Sequence, residues 1–376
     1  MNNTTLIVLC AGESSRFNIL PKKQWLRCKD EPLWLLVAKR IASYSNFEKV
    51  IIVAHKNELN YMKNFDSSFE FVAGGETRQE SMKNGLQFVT SKYTMVTDVA
   101  RACVPDVVIE RLLANKEKAD CIVPILSVSD TVIYGNDTID RDKVKLIQTP
   151  QLSNTKKLQQ ALSQNEQFTD DSSAIKAISG SIYYVEGSKQ SAKLTFGSEL
   201  KEISCLKAPS SDCFNGTGID IHPFEENKKM YLGGIHIDSP FGFKAHSDGD
   251  VLIHSVIDSL LGAAGAGDIG EFFPDTDLKY KGADSKLLLE EIVAFITNVG
   301  YEIVNLDVSI IAQVPKINPH KIAIKQSMSN LLKIPMHRFN IKATTAEELG
   351  FVGRKEAIVV QSAATLKYYN WKEQES

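Results

Sequence analysis

The sequence predicts two successive domains, an α/β doubly wound sheet carrying a β-hairpin arm and then an α+β layered domain. Length is the first observation, because 376 residues exceed what one core usually organises. The second is pattern. In the first half, short β-type apolar runs alternate with amphipathic helical stretches, the mark of a parallel sheet with crossover helices. The third is a reset. After the short, polar, turn-rich stretch Lys207-Ala208-Pro209-Ser210-Ser211-Asp212 the chain starts again with a fresh strand. The expected domains are therefore 1–207 and 216–376, joined by a linker at 208–215.

Composition narrows the function classes. The chain is 43% hydrophobic and 24% charged, ordinary for a soluble globular protein. A formal net charge of −3 gives no reason to expect nucleic-acid or membrane-surface binding. No run of apolar residues is long enough to span a bilayer. The apolar N-terminus reads as a first strand, since a Gly/Ser-rich turn follows it where a signal peptide would have a cleavage site. The six cysteines form no C-x-x-C pair, and none follows Cys213. This is reduced, cytoplasmic usage with no thiolate metal site.

In the first half, Leu6-Ile7-Val8-Leu9 is a buried strand. Cys10-Ala11-Gly12-Glu13-Ser14-Ser15-Arg16-Phe17 follows, a turn whose backbone N–H groups suit a nucleotide. It is not a Walker loop, because G-x-x-x-x-G-K is absent. Arg16 and Lys23 bring positive charge to the same mouth, where a triphosphate needs it; a solvated basic loop is the bland alternative. Residues 33–44 form an amphipathic helix, and 50–53 and 69–72 are strands. Gly74-Gly75-Glu76-Thr77-Arg78-Gln79-Glu80-Ser81 then opens a helix whose start can hold an anion. The strand 93–97 ends in Asp98-Val99-Ala100-Arg101. An Asp at the carboxyl end of a parallel strand can be a magnesium ligand or a loop cap. The strand 121–124 is followed by 127–151, where 130–134, the polar tip Gly135-Asn136-Asp137 and 145–151 read as a hairpin able to reach another subunit. Thr169-Asp170 with Asp171 reads as a helix start.

In the second half, Asp220 and His222 stand two apart on a strand, so both side chains point to one face. His254 follows in the apolar helical run Val251, Leu252, Ile253, Val256, Ile257, Leu260, Leu261. One carboxylate and two imidazoles make an open zinc-type site with a fourth position free for substrate. Residues 231–237 read as a hairpin partner, and 262–277 as a loop rich in backbone N–H groups and carboxylates. Residues 285–300 form a helix. The strand 303–311 alternates with Val304, Leu306, Val308 and Ile310 on one face. Ala312-Gln313-Val314-Pro315-Lys316-Ile317 offers backbone to a base edge. Strand 340–343 runs into Thr344-Thr345-Ala346-Glu347, and 358–366 closes the sheet.

These motifs carry two resemblances. The set Ala11-Gly12, Arg16, Lys23-Gln24-Trp25, Gly74-Gly75-Glu76-x-Arg78-x-x-Ser81, Asp98-x-Ala100-Arg101, Asp130-Thr131, Arg141 with Thr149-Pro150-Gln151, Thr169-Asp170 and Lys193-Leu194-Thr195 resembles 2-C-methyl-D-erythritol 4-phosphate cytidylyltransferase over about residues 1–205. The resemblance implies a Rossmann-like sheet. It implies that Arg16 and Lys23 stabilise the pentavalent α-phosphate of CTP. Arg141 and Lys193 would hold the methylerythritol phosphate, with Thr131, Thr149, Asp98 and Arg101 nearby and Ala11, Gly12, Gly75, Arg78 and Ser81 around the nucleotide. Thr97 and Ala102 depart from the family, which usually has His and Pro there. Lys22 lies beside Lys23; the spacing from Arg16 and the Gln-aromatic context favour Lys23.

The second half resembles 2-C-methyl-D-erythritol 2,4-cyclodiphosphate synthase over about residues 216–368. The motifs are Asp220-x-His222, Ala245-His246-Ser247-Asp248-Gly249-Asp250 with His254, Gly267-Asp268-Ile269-Gly270-x-Phe272-Phe273-Pro274-Asp275-Thr276-Asp277, Lys281-Gly282-Ala283-Asp284-Ser285, Ala312-Gln313-x-Pro315-Lys316, Lys342-Ala343-Thr344-Thr345-x-Glu347 and Leu349-Gly350-Phe351-x-Gly353-Arg354. Ala346 replaces the commoner Thr. The resemblance implies one zinc per chain on Asp220, His222 and His254, and magnesium or manganese with CTP and at the diphosphate, through Asp98 and Glu347. His246 and Thr345 would stabilise charge in flight. Substrate would lie against Ser247, Asp268, Ile269, Gly270, Phe273, Pro274, Asp275, Thr276, Asp277, Ala312, Pro315, Lys316, Ile317, Thr344, Phe351 and Arg354.

Together the halves imply a cytoplasmic bifunctional enzyme of non-mevalonate isoprenoid biosynthesis acting on CTP and methylerythritol phosphates. Its cyclase half would form trimers, and the whole chain a homo-oligomer as large as a hexamer. Two other readings are an active cyclase fused to a degenerate nucleotidyltransferase that serves as an assembly scaffold, and a nucleotide-binding regulatory protein. The intact Arg16, Lys23, Arg141 and Lys193 oppose the first, and the zinc set opposes the second.

Overall fold

A computed structural model describes residues 3–164, 166–245, 247–274, 276–280 and 282–373. The expected sites His246 and Asp275 lie outside the described residues. The chain divides into two compact units, Met1–Ala208 and Pro209–Ser376. Among the described residues no helix is long and apolar enough to cross a membrane.

In the first unit, Thr4–Leu9 pairs in parallel with Lys49–Ala54 on one side and Tyr93–Asp98 on the other, and Glu70–Ala73 extends the sheet beyond Lys49–Ala54. The strand order therefore reverses beside Thr4–Leu9, which opens a crevice at the carboxyl ends of Thr4–Leu9 and Tyr93–Asp98. Both faces are covered, so side chains on both sides of these strands are buried. Ile7, Leu9, Ile51, Val53 and Val96 join Met82, Leu86, Leu158 and Ile175 in one core, while Leu6, Val8, Ile52 and Met95 are also fully buried. Beyond Tyr93–Asp98 the sheet continues with Gln151–Asn154 antiparallel, then Cys121–Ser127.

The arm differs in register from the sequence expectation. Its tip pairs Val132–Tyr134 with Asp137–Ile139, while Lys145–Ile147 returns to pair with Cys121–Ser127. Gly135, with φ +64°, supplies the left-handed residue that this tight turn requires. The cysteines also differ from the fully reduced expectation: Cys103 and Cys205 are joined, with Cα atoms 5.8 Å apart. They are 102 residues apart in sequence, so no local spacing signals the pair.

The second unit is a five-stranded sheet in the order Phe241–Phe243, Cys213–Glu226, Ala357–Tyr368, Tyr301–Ile311, Phe339–Thr344. The first of its strands begins at Cys213, inside the stretch expected to be linker, because Cys213 already pairs with Lys367. In Tyr301–Ile311, Leu306, Val308 and Ile310 are buried as expected. Val304 is displaced by a bulge between Ile303 and Asn305.

The helix Val251–Ala264 lies on the strand Cys213–Glu226. Two glycines permit this close approach: a Cβ on Gly216 would come within 2.2 Å of Ala263 N, and one on Gly218 within 2.0 Å of Ser255 O. The contact is fastened by Ser255, whose hydroxyl reaches Gly218 O at 3.1 Å and Ser362 Oγ at 2.9 Å. The helix starts at Asp250, a buried carboxylate that accepts from the N–H groups of Ile253, Gly233 and Gly234. It runs three residues past Leu261 and ends where Gly265 takes φ +66°.

Candidate active sites

At the crevice of the first unit lies a cavity of about 870 Å³. Ala11, Gly12, Arg16, Lys23, Gly75, Arg78, Ser81, Asp98 and Lys193 all line it. Gly74 and Gly75 allow the wall to close, since a Cβ on Gly74 would meet that of Ala11 at 2.4 Å. Thr77 and Glu80 form a capping box that places the start of the helix Arg78–Leu86 at the same wall.

The two neighbouring lysines point apart. Lys22 Nζ is held by Glu13 at 2.8 Å and by Glu58 at 3.0 Å. Glu58 also accepts from Trp25 Nε1 at 2.7 Å and from Gln24 Nε2 at 3.3 Å. Lys23 turns the other way: its N–H donates to Ser14 Oγ and its ammonium donates to Leu194 O at 2.9 Å, at the cavity wall. Burial lowers the Lys23 pKa, and the cations Lys193 and Arg16 lower it further. Burial opposes the charge of Lys22 too, but Glu58 and Glu13 outweigh it and its pKa rises.

Opposite these cations sits Asp98. Arg78 Nε holds one of its oxygens at 2.9 Å and Lys193 Nζ the other at 2.7 Å. Against burial, these two partners keep the carboxyl well below the usual carboxylate range. Each oxygen thus already has a cationic partner. Thr149 Oγ1 accepts from the Asp98 N–H at 3.3 Å. Arg101 reaches Ser191 O and Ile147 O, and Arg141 on the exposed arm reaches Ser129 O. Thr131 is exposed at the base of the arm. These last three residues do not line the cavity.

In the second unit, Asp220, His222 and His254 converge, with one ligand atom from each lying within 4.8 Å of the others. Asp220 Oδ2 is buried and accepts no well-formed hydrogen bond, yet stands 3.2 Å from His222 Nε2 and 3.3 Å from His254 Nδ1. An orphaned buried carboxylate oxygen between two imidazole nitrogens fits a divalent cation. Burial lowers the pKa of His222, which favours the neutral imidazole that a metal ligand must be. Burial also disfavours the His254 cation, but contact with Asp220 outweighs this and raises its pKa. No cysteine joins the group among the described residues.

One turn after His254, Asp258 accepts from Ile269 N at 2.9 Å and so ties the chain after the helix back onto it. Asp268 caps the short turn Ile269–Phe272, where Gly270 is exposed, and Phe273 is buried against Tyr280. Pro274, Thr276 and Asp277 are exposed. Ser247 Oγ is 3.3 Å from His254 Nε2. The remaining candidates sit on other loops. Ala312 and Ile317 are buried, Lys316 is exposed and Pro315 follows a cis peptide. Thr344 and Phe351 are exposed, and Arg354 pairs with Glu356. Thr345 Oγ1 donates to Glu347 at 2.6 Å, and among the described residues Glu347 does not join the metal-type group.

Several site neighbours carry no motif signal. Glu58 is one. Asp171 is another: it is fully buried and Arg78 Nη1 reaches it at 3.4 Å, although in sequence it reads as a helix-start acid. Asp248 and Ser285 do stand in motifs, but their place behind His254 is set by the fold.

The model of the 2-C-methyl-D-erythritol 4-phosphate cytidylyltransferase family matches residues 4–205, and that of the YgbB family matches residues 214–367. A cation-lined crevice and a separate carboxylate–imidazole centre thus define a two-headed enzyme, a cytidylyltransferase joined to a cyclodiphosphate synthase. A "Bifunctional enzyme IspD/IspF" from Aliarcobacter butzleri is 68% identical over 99% of this chain and 100% of its own length, and one from Sulfurovum sp. is 51% identical over the same shares. The solved structure of the bifunctional IspDF from Campylobacter jejuni is 47% identical with a TM-score of 0.87, covering 98% of this chain and 99% of that one. The chain belongs to the bifunctional IspD/IspF family of isoprenoid biosynthesis. It transfers CMP from CTP to 2-C-methyl-D-erythritol 4-phosphate with release of pyrophosphate. It also cyclises 4-diphosphocytidyl-2-C-methyl-D-erythritol 2-phosphate to the 2,4-cyclodiphosphate with release of CMP.

Proposed function

We propose that each activity has its own site, cytidylyl transfer in the 870 Å³ cavity and cyclisation at Asp220, His222 and His254. In the cavity, Ala11, Gly12, Gly75 and Ser81 receive the nucleotide, and Arg16 and Lys23 meet the α-phosphate as its negative charge grows. Lys193 holds the acceptor phosphate, positioned by Asp98. Magnesium or manganese enters with the phosphates of CTP. Arg141 and Thr131, carried away from the cavity on an exposed arm, serve the acceptor site of a neighbouring subunit.

In the second unit we assign zinc, one ion per chain, which would polarise the β-phosphate as a Lewis acid. The chain's own part is to orient: His222 and His254 present ring nitrogens beside Asp220, Ser247 stands at the rim, and the 262–277 loop offers backbone to substrate. Thr345, Glu347, Lys316, Phe351 and Arg354 complete the pocket from a neighbouring subunit. The single observation that carries this reading is the buried, unsatisfied Asp220 oxygen between two imidazoles. Elemental analysis of the purified chain tests it: one zinc per chain is expected, and a chain fully active in cyclisation without zinc would overturn it.

The same reading makes the enzyme a homo-oligomer, a trimer through the second unit and a closed hexamer when the arms also pair. Exposed apolar side chains on the arm, Ile133 and Tyr134, and on the sheet face, Ile219 and Ile221, support it. Light scattering should give a hexamer, and a monomer at micromolar concentration would contradict it. Phosphorylated substrates and CTP suit a cytoplasmic location.

A further inference from the structure

We infer that Asp248 and Ser285 form a positioning relay that fixes the tautomer of His254 and aims its Nδ1 lone pair at the cation. The inference rests on the proposed reading of His254 as a ligand.

Ser285 is the first residue of the helix Ser285–Asn298 and is fully buried. Asp248 grips it twice. Its Oδ2 accepts from the Ser285 N–H at 3.2 Å, and its Oδ1 accepts from the Ser285 hydroxyl. A serine hydroxyl has one hydrogen, and here the carboxylate takes it. Toward its other neighbour, His254 Nε2 at 3.0 Å, Ser285 Oγ is left able only to accept. His254 Nε2 therefore carries the proton, and Nδ1, 3.3 Å from Asp220 Oδ2, keeps a free lone pair on the cluster side. His222 reaches the same end by another route. Its Nδ1 donates to Gly249 O at 2.9 Å, which leaves Nε2 facing Asp220. Both imidazoles thus turn their protonated nitrogen away from the cluster. The His222 anchor is a backbone carbonyl and no side-chain change removes it, whereas His254 Nε2 faces two side chains, Ser285 Oγ at 3.0 Å and the more distant Ser247 Oγ at 3.3 Å, and the nearer one can be deleted.

Loss of such a partner usually weakens metal binding by about 10–100-fold. The experiment measures zinc affinity of the full-length chain by competition with a chelator of known affinity, for wild type, Ser285→Ala, Ser285→Thr and His254→Ala. We expect Ser285→Ala to bind zinc about 10–100-fold more weakly. Ser285→Thr, which keeps the hydroxyl, should bind close to wild type. Wild-type affinity in Ser285→Ala, with zinc lost in His254→Ala, would overturn the relay and leave the ligand assignment standing. Equal weakening in Ser285→Ala and Ser285→Thr would also overturn it, because the hydroxyl would then not be the operative group. Zinc retained in His254→Ala would overturn the ligand reading itself.

Discussion

Replacing Gly218 by Ala should disable cyclisation from a position that touches no substrate. A Cβ at this position would lie 2.0 Å from Ser255 O and 2.9 Å from Ser259 N, both backbone atoms of the helix that carries His254. Ordinary contact begins at 3.4 Å, so helix and strand must separate by about 1.4 Å. Overpacking of this kind costs about 1–3 kcal/mol. The larger effect is geometric. Asp220 is two residues along the same strand and His254 is on the displaced helix, so the 3.3 Å approach of Asp220 to His254 is lost. A misplacement of about 1 Å costs on the order of a hundredfold in rate. Gly262→Ala is the internal control. It sits in the same helix, but its Cβ would make only ordinary contacts, with Gly216 Cα at 3.8 Å and Thr217 O at 3.9 Å. It should be neutral or stabilise by about 0.5–1 kcal/mol, the usual gain from replacing a helical glycine. The assays are CMP release for cyclisation, pyrophosphate release for transfer, and zinc content. Gly218→Ala with normal zinc and normal cyclisation would refute the claim that this close packing sets the metal site.

Further outcomes follow from the first unit. Lys23→Ala should lower cytidylyl transfer by roughly two orders of magnitude or more with cyclisation intact. Lys22→Met should act on stability instead, because it strands the buried Glu58 carboxylate at a cost of about 3 kcal/mol; a kinetic defect confined to Lys22→Met would reverse the two roles. Burial, reinforced by the nearby Asp170 and Asp98 charges and opposed by Arg78, pushes the Asp171 carboxyl up to about 7. A carboxyl raised on folding stabilises most below its unfolded value, and that contribution is lost as pH rises through about 7. Urea unfolding of the first-unit transition should therefore show stability falling from about pH 4 to about pH 8 in wild type and a flatter profile in Asp171→Asn. An unchanged slope would contradict this.

Motifs built from consecutive residues were legible in the sequence, because strand periodicity alone puts Asp220 and His222 on one face. The crevice loops were legible too, since Gly74-Gly75 and Ala11-Gly12 have a backbone reason to be small. Features made by distant partners were not. Lys22 and Lys23 are adjacent, and their opposite directions depend on Glu58, 36 residues away. Asp171 reads as a solvated acid at a helix start, and only the tertiary fold buries it under Arg78. Ser285 was legible as part of a motif, but its contact with His254 arises only where Asp248 is laid against it. The arm register was not legible because the tight turn at Gly135 closes a short local ladder, which leaves Lys145–Ile147 to pair with the main sheet.

The central claim is that two chemistries occupy two sites that share no residue. Both activities and the zinc content, measured on a single His254→Ala preparation, test it most directly. The account predicts a folded chain with zinc lost, cyclisation abolished and CTP-dependent cytidylyl transfer close to wild type. Loss of both activities in a folded chain, or cyclisation that persists with zinc in place, would contradict it.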